Sequence, residues 1–198
     1  RNEYKKKGRF IMELLDAVKG RRSVRKFTDS PVSKEMIEKI LDVVDYCPNA
    51  GNRNSTKVVV ITNRAVIDYI GKAHMVIIRN FNKGITTLPS EEEIAASESA
   101  FHNARTVVAL FGPKDFYFSS ADAYIMAQNI TLAAFEQGVS TCIVGEVLNS
   151  LATEKGKRLQ NEIGIPEEFV PQAFITIGYC DGEYPKRPGR HYSEVIYV

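Results

Sequence analysis

Four polar loops at the predicted ends of helices and strands contain side chains suited to a charged, flat ligand. The first, GRRSVRKF at residues 20–27, contains three arginines, a lysine and a serine. Arg21, Ser23 and Arg25 point to one side of an extended segment, whereas Arg22 points to the other. Guanidinium groups beside a hydroxyl suit a phosphate and the polyol chain attached to it. A solvated basic loop is an at least equal interpretation of this segment alone.

The second loop, PNAGNRN at residues 48–54, combines small residues with side-chain amides. Ala50 and Gly51 allow the backbone to approach a flat polar ring closely. Asn49, Asn52 and Asn54 each offer both a donor and an acceptor, which suits an imide edge. As an isolated feature, the same loop is also typical of an ordinary turn.

The other two loops follow predicted strands. Residues 138–146, GVSTCIVGE, form a strand end flanked by glycines, where a backbone N–H could bond a ring nitrogen. Residues 185–190, PKRPGR, form a second cationic loop near the end of the chain. The positive charge of the two basic loops is balanced by acidic residues elsewhere in the chain. This distribution indicates a ligand with one localised negative charge rather than an extended polyanion such as a nucleic acid.

Composition and missing motifs exclude several classes of function. The 26 Lys and Arg residues nearly balance the 24 Asp and Glu residues, which argues against a dedicated nucleic-acid binder. An RNA- or DNA-binding module remains an alternative because of the two basic loops. The sequence has no GxGxxG, P-loop, HExxH or GxSxG motif, and its three histidines are far apart. Its three cysteines lack a metal-binding spacing, which predicts reduced thiols in the cytoplasm. No apolar run approaches the ~20 residues of a membrane helix, so we expect no membrane partner.

The elements that must position these loops follow from apolar periodicity and capping residues. Residues 12–18 predict a helix with Met12, Leu15 and Val18 on one face, and Ser33 is the predicted N-cap of a helix that ends near Cys47. Further helices are predicted at residues 65–80, 121–137 and 150–159. Strands that are buried on both faces are predicted at residues 57–62, 105–112 and 174–179, with a short strand at residues 140–144. These elements predict one α+β or α/β domain over residues 12–198, preceded by an extension at residues 1–11.

The order of the segments resembles the FMN-dependent nitroreductase family from about Met12 to Val198. The resemblance rests on RRSVRKF, CPNAGN, DAYIMAQNITLAAFEQGVSTCIVG and ITIGYCDGEYPKRP, in that order and at similar spacing. It implies an α+β fold with a central, mainly antiparallel sheet flanked by helices. It also implies an intertwined homodimer with two non-covalent FMN molecules at the interface.

The resemblance further implies a role for each matched residue. Arg21 and Ser23 would serve the phosphate and ribityl chain, and Arg25 the pyrimidine edge of the flavin. Residues 48–52 would come from the partner subunit, and residues 143–145 would face N5 of the flavin. The full set of implied FMN-binding residues is Arg21, Arg22, Ser23, Arg25, Pro48, Asn49, Ala50, Asn52, Ile143, Val144, Gly145, Lys186, Arg187 and Arg190.

The activity implied by the resemblance is hydride transfer from NADH or NADPH through FMN to a nitroaromatic or quinone, in a ping-pong cycle. Phe81 and Phe101 are candidate substrate-facing residues, with a place in the core as the alternative. Many members continue the partner loop with Gln-Pro-Trp, but Asn54, Ser55 and Thr56 stand here, and the chain has no Trp. A reductive dehalogenase, a flavin-fragmenting enzyme or a non-catalytic FMN-storage protein are the alternative functions.

Overall fold

The protein is built around one antiparallel sheet. The computed structural model describes residues 12–146, 149–187, 189 and 194–198. The strands are β1 (Lys57–Ile61), β2 (Thr106–Pro113), β3 (Ser140–Gly145) and β4 (Phe169–Gly178). Their order is β1-β2-β4-β3, and each neighbouring pair runs antiparallel. The central position of β2 and β4 explains why both strands are apolar on their two faces.

Helices cover both faces of this sheet. They are α1 (Leu14–Gly20), α2 (Lys34–Leu41), α3 (Arg64–Asn82), α4 (Glu91–Ala95), α5 (Ser119–Glu136) and α6 (Glu154–Glu162). Ser33, Ser90 and Thr153 cap α2, α4 and α6 by accepting a backbone N–H with their hydroxyl oxygens. The predicted α+β fold, with a central antiparallel sheet flanked by helices, is therefore confirmed.

Alternating residues of β2 divide the core into two layers. Val108 and Leu110 pack on the side of α2 and α5, with Ile130 of α5 among their neighbours. Val107, Ala109 and Phe111 pack on the opposite side, in a cluster that includes residues of α3. This alternation follows from the two-residue period of a strand.

Two sequence-based expectations need correction. The strand at residues 57–62 was expected to be buried on both faces, but β1 lies at an edge of the sheet and Val60 remains 39% exposed. A continuous β-branched run does not reveal its position in the sheet, so the edge could not be predicted. The helix at residues 150–159 begins later, at Glu154, because Thr153 provides its N-cap.

The apolar face predicted for the first helix is largely exposed among the described residues. Leu15 and Val18 of α1 are 59% and 49% exposed, and only Ala17 of that helix is buried. No helix in the described part of the chain combines the length and apolar character needed to span a membrane. The extension at residues 1–11 lies outside the described residues.

Candidate functional site

The basic segment at residues 20–28 is fixed against two strands of the sheet. After α1 ends at Gly20, Ser23 forms a parallel bridge with Thr141 at the start of β3, and the Val24 N–H donates to the Thr141 carbonyl at 2.9 Å. Further along, Phe27 forms an antiparallel bridge with Cys180 after the end of β4. The segment is therefore extended, as predicted, and its alternate side chains face opposite sides.

Arg21, Ser23 and Arg25 converge on Cys142, the third residue of β3. Burial raises the pKa of the Cys142 thiol, while Arg25, the Ser23 hydroxyl and Arg21 act in the opposite direction. Cys142 is a free thiol that is only 2% exposed. A buried thiol with a raised pKa is a poor nucleophile, so its role here is packing. The three polar side chains thus meet beside the strand that continues into residues 143–145.

Four side-chain polar atoms in this region are buried without a hydrogen-bond partner among the described residues: Arg21 Nε, Arg22 Nε, Thr28 Oγ1 and Thr141 Oγ1. Leaving a buried donor or acceptor unpaired is unfavourable by ~1–3 kcal/mol. Thr141 is bridged to Ser23, two residues after Arg21. A phosphate or polyol oxygen is the kind of group that would satisfy the Arg21 donor and the Thr141 hydroxyl, so these residues suit the phosphate end of FMN.

The guanidinium of Arg22 is hydrogen-bonded to the end of α1. Its Nη1 donates to the carbonyls of Lys19, Gly20 and Arg21 at 2.7, 3.1 and 2.7 Å. These carbonyls lie at the C-terminal end of α1, where a cation also opposes the helix dipole. Arg22 therefore caps α1 instead of facing the other arginines, because alternation along the segment turns it to the opposite side.

The end of β3 is held by a tyrosine. An ideal Cβ on Gly145 would lie 2.5 Å from Tyr124 Oη, so any larger residue here would have to displace that hydroxyl. Burial and the charge of Glu146 raise the pKa of Tyr124, and a hydrogen bond with the Glu146 backbone lowers it. Ile143, Val144 and Gly145 are all partly exposed and remain accessible to a ligand.

Immediately after β3, a buried polar network joins the strand to α3. The Ser150 hydroxyl donates to the Glu146 carboxylate, and His74 Nδ1 lies 3.0 Å from Ser150 Oγ and 3.4 Å from Glu146 Oε2. The side chains of His74 and Glu146 are 7% and 2% exposed. The network fixes the direction in which the chain leaves residues 143–145.

The loop at residues 48–54 is held by its own hydrogen bonds and by a hydrogen bond to α5. Asn49 and Asn54 exchange two hydrogen bonds, at 2.8 and 3.0 Å, and the Ala50 N–H donates to Asp122 of α5 at 2.9 Å. Asn52 and Asn54 adopt left-handed backbone conformations, both with φ of 51°. Such strain in non-glycine residues is often retained at binding sites. Within the described residues, no hydrogen bond joins this loop to residues 21–25.

The second basic loop approaches the first through Tyr184. Its hydroxyl accepts the Arg22 N–H at 2.9 Å, which places residues 183–187 beside the start of the basic segment. Lys186 is exposed and paired with Glu183 at 3.2 Å, and Arg187 is exposed. Arg190 lies outside the described residues.

The two phenylalanines proposed to face a substrate lie in different environments. Phe101 is 0% exposed and packs against Phe174, with the ring centroids 5.1 Å apart. The expectation that Phe101 faces a substrate is therefore wrong, because its ring fills the core beneath β4. Phe81, near the end of α3, is 51% exposed.

Sequence reasoning missed Thr141, Tyr124 and Tyr184. Each lies inside or beside a segment that was singled out, but their roles depend on which strands and helices meet in space. Among the described residues, no group of three or more His, Cys, Asp or Glu side chains is arranged to hold a metal ion. The site therefore offers cations, hydroxyls and backbone N–H groups, which can bind and orient an anionic cofactor.

Comparisons with known proteins agree with this geometry. Over 168 residues, the chain is 29% identical to a protein of Methanothermobacter thermautotrophicus named "Putative NADH dehydrogenase/NAD(P)H nitroreductase", covering 85% of this chain and 78% of that protein. A nitroreductase with bound FMN from Bacteroides fragilis superposes with a TM-score of 0.78 at 18% identity, covering 94% of this chain and 99% of that one. A nitroreductase with bound FMN from Desulfitobacterium hafniense superposes with a TM-score of 0.74 at 19% identity, covering 93% and 100%.

The family model described as "Nitroreductase family" matches residues 18–179, which include the basic segment, the loop at residues 48–54 and the end of β3. The match therefore covers most of the chain and three of the four loops that the sequence singled out. On this evidence the chain belongs to the nitroreductase family.

Proposed function

We propose that the protein is an FMN-dependent oxidoreductase that uses NADH or NADPH to reduce nitroaromatic or quinone acceptors in a ping-pong cycle. The observation that carries the proposal is the placement of Arg21, Ser23 and Arg25 beside Thr141 and Cys142 of β3, the strand that ends at residues 143–145. The FMN in the similar solved structures and the name of the relative from Methanothermobacter thermautotrophicus support the choice of cofactor and donor.

The residues of this chain divide the binding task between two ends. Arg21 and Ser23 bind the phosphate and ribityl chain through charge-assisted hydrogen bonds. Arg25 places a cation at the pyrimidine edge, where negative charge develops on reduction. The backbone N–H groups at residues 144–145 are donors at the strand end. Bound FMN supplies the chemistry itself, which is the acceptance of a hydride from the nicotinamide and its transfer to an acceptor.

A homodimer is part of the same proposal. Large apolar side chains are exposed on α1 and at the start of α5, including Leu15 at 59% and Tyr117 at 91%. Ile196 and Tyr197 near the C-terminus are also exposed. Apolar surfaces of this kind mark protein interfaces. In the dimer, Pro48, Asn49, Ala50 and Asn52 of one subunit would complete the FMN site of the other.

The proposal extends to the acceptor site and the compartment. Phe81 is exposed enough to contact an acceptor, although no described contact joins it to the other site residues. Cys47 and Cys142 are buried free thiols, which agrees with a reducing compartment such as the cytoplasm.

The proposal is tested by steady-state kinetics of the FMN-loaded protein with NADH and NADPH, using nitrobenzene and a benzoquinone as acceptors. We expect oxidation of at least one nicotinamide that depends on the acceptor, with parallel lines in double-reciprocal plots. A protein that holds FMN but oxidises neither nicotinamide with any acceptor would instead be a flavin-storage protein, and the proposed activity would be wrong.

A further inference from the structure

A second concave region lies beyond Arg25 and is not explained by the proposed FMN contacts. It is a cavity of about 660 Å³, which we call the basic pocket. Four cationic side chains line it: Arg25, Lys26, Arg64 and Arg105. Two carboxylates, Asp29 and Asp181, also line it, so cations outnumber anions by two to one.

The backbone of the basic pocket is strained at one place. His102 and Asn103 adopt consecutive left-handed conformations, with φ of 52° and 60°. Only four non-glycine residues in the described part of the chain have positive φ, and the other two belong to the loop at residues 48–54. Strain of this kind is retained where a binding site requires it. Its second occurrence therefore points to the basic pocket as a functional region.

Arg64 holds the strained pair in position. Its Nη2 donates to Asn103 Oδ1 at 3.2 Å and its Nη1 to the Asn103 carbonyl at 3.4 Å, while its Nε donates to Asp68 at 2.9 Å. Burial and the charge of Arg25 lower the pKa of His102. The lowered pKa favours the neutral form of His102, which can donate or accept a hydrogen bond without adding charge.

The cations of the basic pocket are available to a ligand. Lys26 pairs with Asp181 and Arg105 pairs with Asp29, both at 2.7 Å, but all four side chains are at least 46% exposed. Exposed ion pairs of this kind stabilise a fold by only ~0–1 kcal/mol. Arg25 is exposed and makes no salt bridge with a described residue. A bound anion can therefore pair with these cations, and the free energy of unfolding would fall only slightly.

We propose that the basic pocket binds the anionic group, a phosphate or a carboxylate, of a small-molecule substrate whose reacting end lies at the flavin. Arg25 connects the two regions, because it lines the basic pocket and also stands beside Cys142 in the proposed FMN site. The substrate assignment rests on the proposed function. The anion has two candidate sources: the 2′-phosphate of NADPH and a carboxylate on the acceptor.

A direct binding measurement tests the basic pocket independently of turnover. Pyrophosphate is titrated into the FMN-loaded protein by calorimetry, with wild type, Arg105→Gln and Arg158→Gln compared. Arg158 is an exposed arginine of α6 outside the basic pocket and serves as the matched control. We expect about fivefold weaker binding for Arg105→Gln, from the loss of one charge-assisted contact, and wild-type binding for Arg158→Gln.

A second variant is expected to bind pyrophosphate more tightly than wild type. A gain in affinity cannot be caused by misfolding, so this variant complements the loss expected for Arg105→Gln. Asp29 is 93% exposed and competes with the ligand for Arg105, so Asp29→Asn should bind pyrophosphate more tightly than wild type does. Equal affinity of wild type, Arg105→Gln and Asp29→Asn would overturn the proposal. The titration measures affinity and does not require the protein to oxidise a nicotinamide. The anion-binding proposal can therefore fail while the proposed function holds, and the reverse is also possible.

Kinetics of the same variants identify the source of the anion. If it is the 2′-phosphate, Arg105→Gln lowers kcat/KM for NADPH but not for NADH. If it is an acceptor carboxylate, Arg105→Gln lowers kcat/KM for 4-nitrobenzoate but not for nitrobenzene. Unchanged selectivity in both comparisons would contradict the assignment of the basic pocket to a substrate.

Discussion

Arg21 is the single side chain with the strongest structural case for cofactor binding. It lies at the junction of α1 and the basic segment, its Nε is buried without a partner, and its charge acts on Cys142 of β3. Arg22, the next residue, also has a buried Nε without a partner, but its Nη1 is occupied in capping α1. Neighbouring arginines of identical chemistry thus have different roles, because the extended backbone turns them to opposite sides.

Replacing Arg21 tests this role. We expect Arg21→Ala to weaken FMN binding by ~2 kcal/mol or more through the loss of a charge-assisted phosphate contact, measured by fluorescence titration of FMN into the apoprotein. Arg158→Ala, on the exposed face of α6, is the control and should bind FMN as wild type does. If Arg21→Ala binds FMN unchanged, other residues hold the phosphate.

Gly145 is a second residue whose effect can be predicted. A Cβ at this position would collide with Tyr124 Oη, so Gly145→Ala should lower the free energy of unfolding by ~1–3 kcal/mol, as overpacking does. Adding Tyr124→Phe removes the colliding hydroxyl and should recover part of that loss in a double-mutant cycle followed by urea denaturation. Strictly additive effects of the two substitutions would show that the contact is not the cause.

Among the elements, the connection between α3 and the end of β3 depends on the buried network of His74, Glu146 and Ser150. Ser150 is 0% exposed and contacts both other members of the network. We expect Ser150→Ala to lower the free energy of unfolding by ~1–3 kcal/mol, because its buried partners lose a hydrogen bond. Urea denaturation measures the change. Ser30→Ala, at an exposed position, should differ from wild type by less than ~0.5 kcal/mol, and an equally small effect of Ser150→Ala would contradict the importance of the network.

The elements themselves were largely predictable from the sequence, because their signals are local. The apolar run of β2, the N-cap at Ser33 and the alternation of residues 21–25 each depend only on neighbouring residues. The edge position of β1 and the burial of Phe101 depend on which strands and helices meet, and no local pattern carries that information. For Arg22, the sequence predicted only that the side chain faces away from Arg21 and Arg25, and not that it caps α1.

At the scale of the whole molecule, the apolar face of α1 is largely left exposed by the described residues. Met12, Leu15 and Val18 were predicted to form one apolar face of a helix, and Leu15 and Val18 are exposed. A pattern that is apolar but unburied indicates an interface rather than an error in the helix prediction. The proposed dimer would cover this face, and the loop at residues 48–54 would then complete the FMN site of the partner subunit.

A substitution on α1 tests the dimer. Leu15→Glu places a carboxylate in the proposed interface, and burying an unpaired charge is strongly unfavourable. Sedimentation equilibrium should therefore show a wild-type mass of two chains and a shift of Leu15→Glu toward one chain, with weaker FMN binding. Asn161→Glu, at an exposed position of α6, should remain dimeric. A monomeric wild-type protein that still binds FMN tightly would contradict the contribution of a partner loop.

The most direct test of the central claim is the identity of the flavin carried by the purified protein. We expect absorbance in the flavin bands, about one flavin per chain, released on denaturation as FMN rather than FAD, and bleaching of the bound flavin when NADH or NADPH is added without oxygen. A colourless protein that takes up no added FMN would contradict the proposed cofactor and, with it, the function derived from Arg21, Ser23 and Arg25.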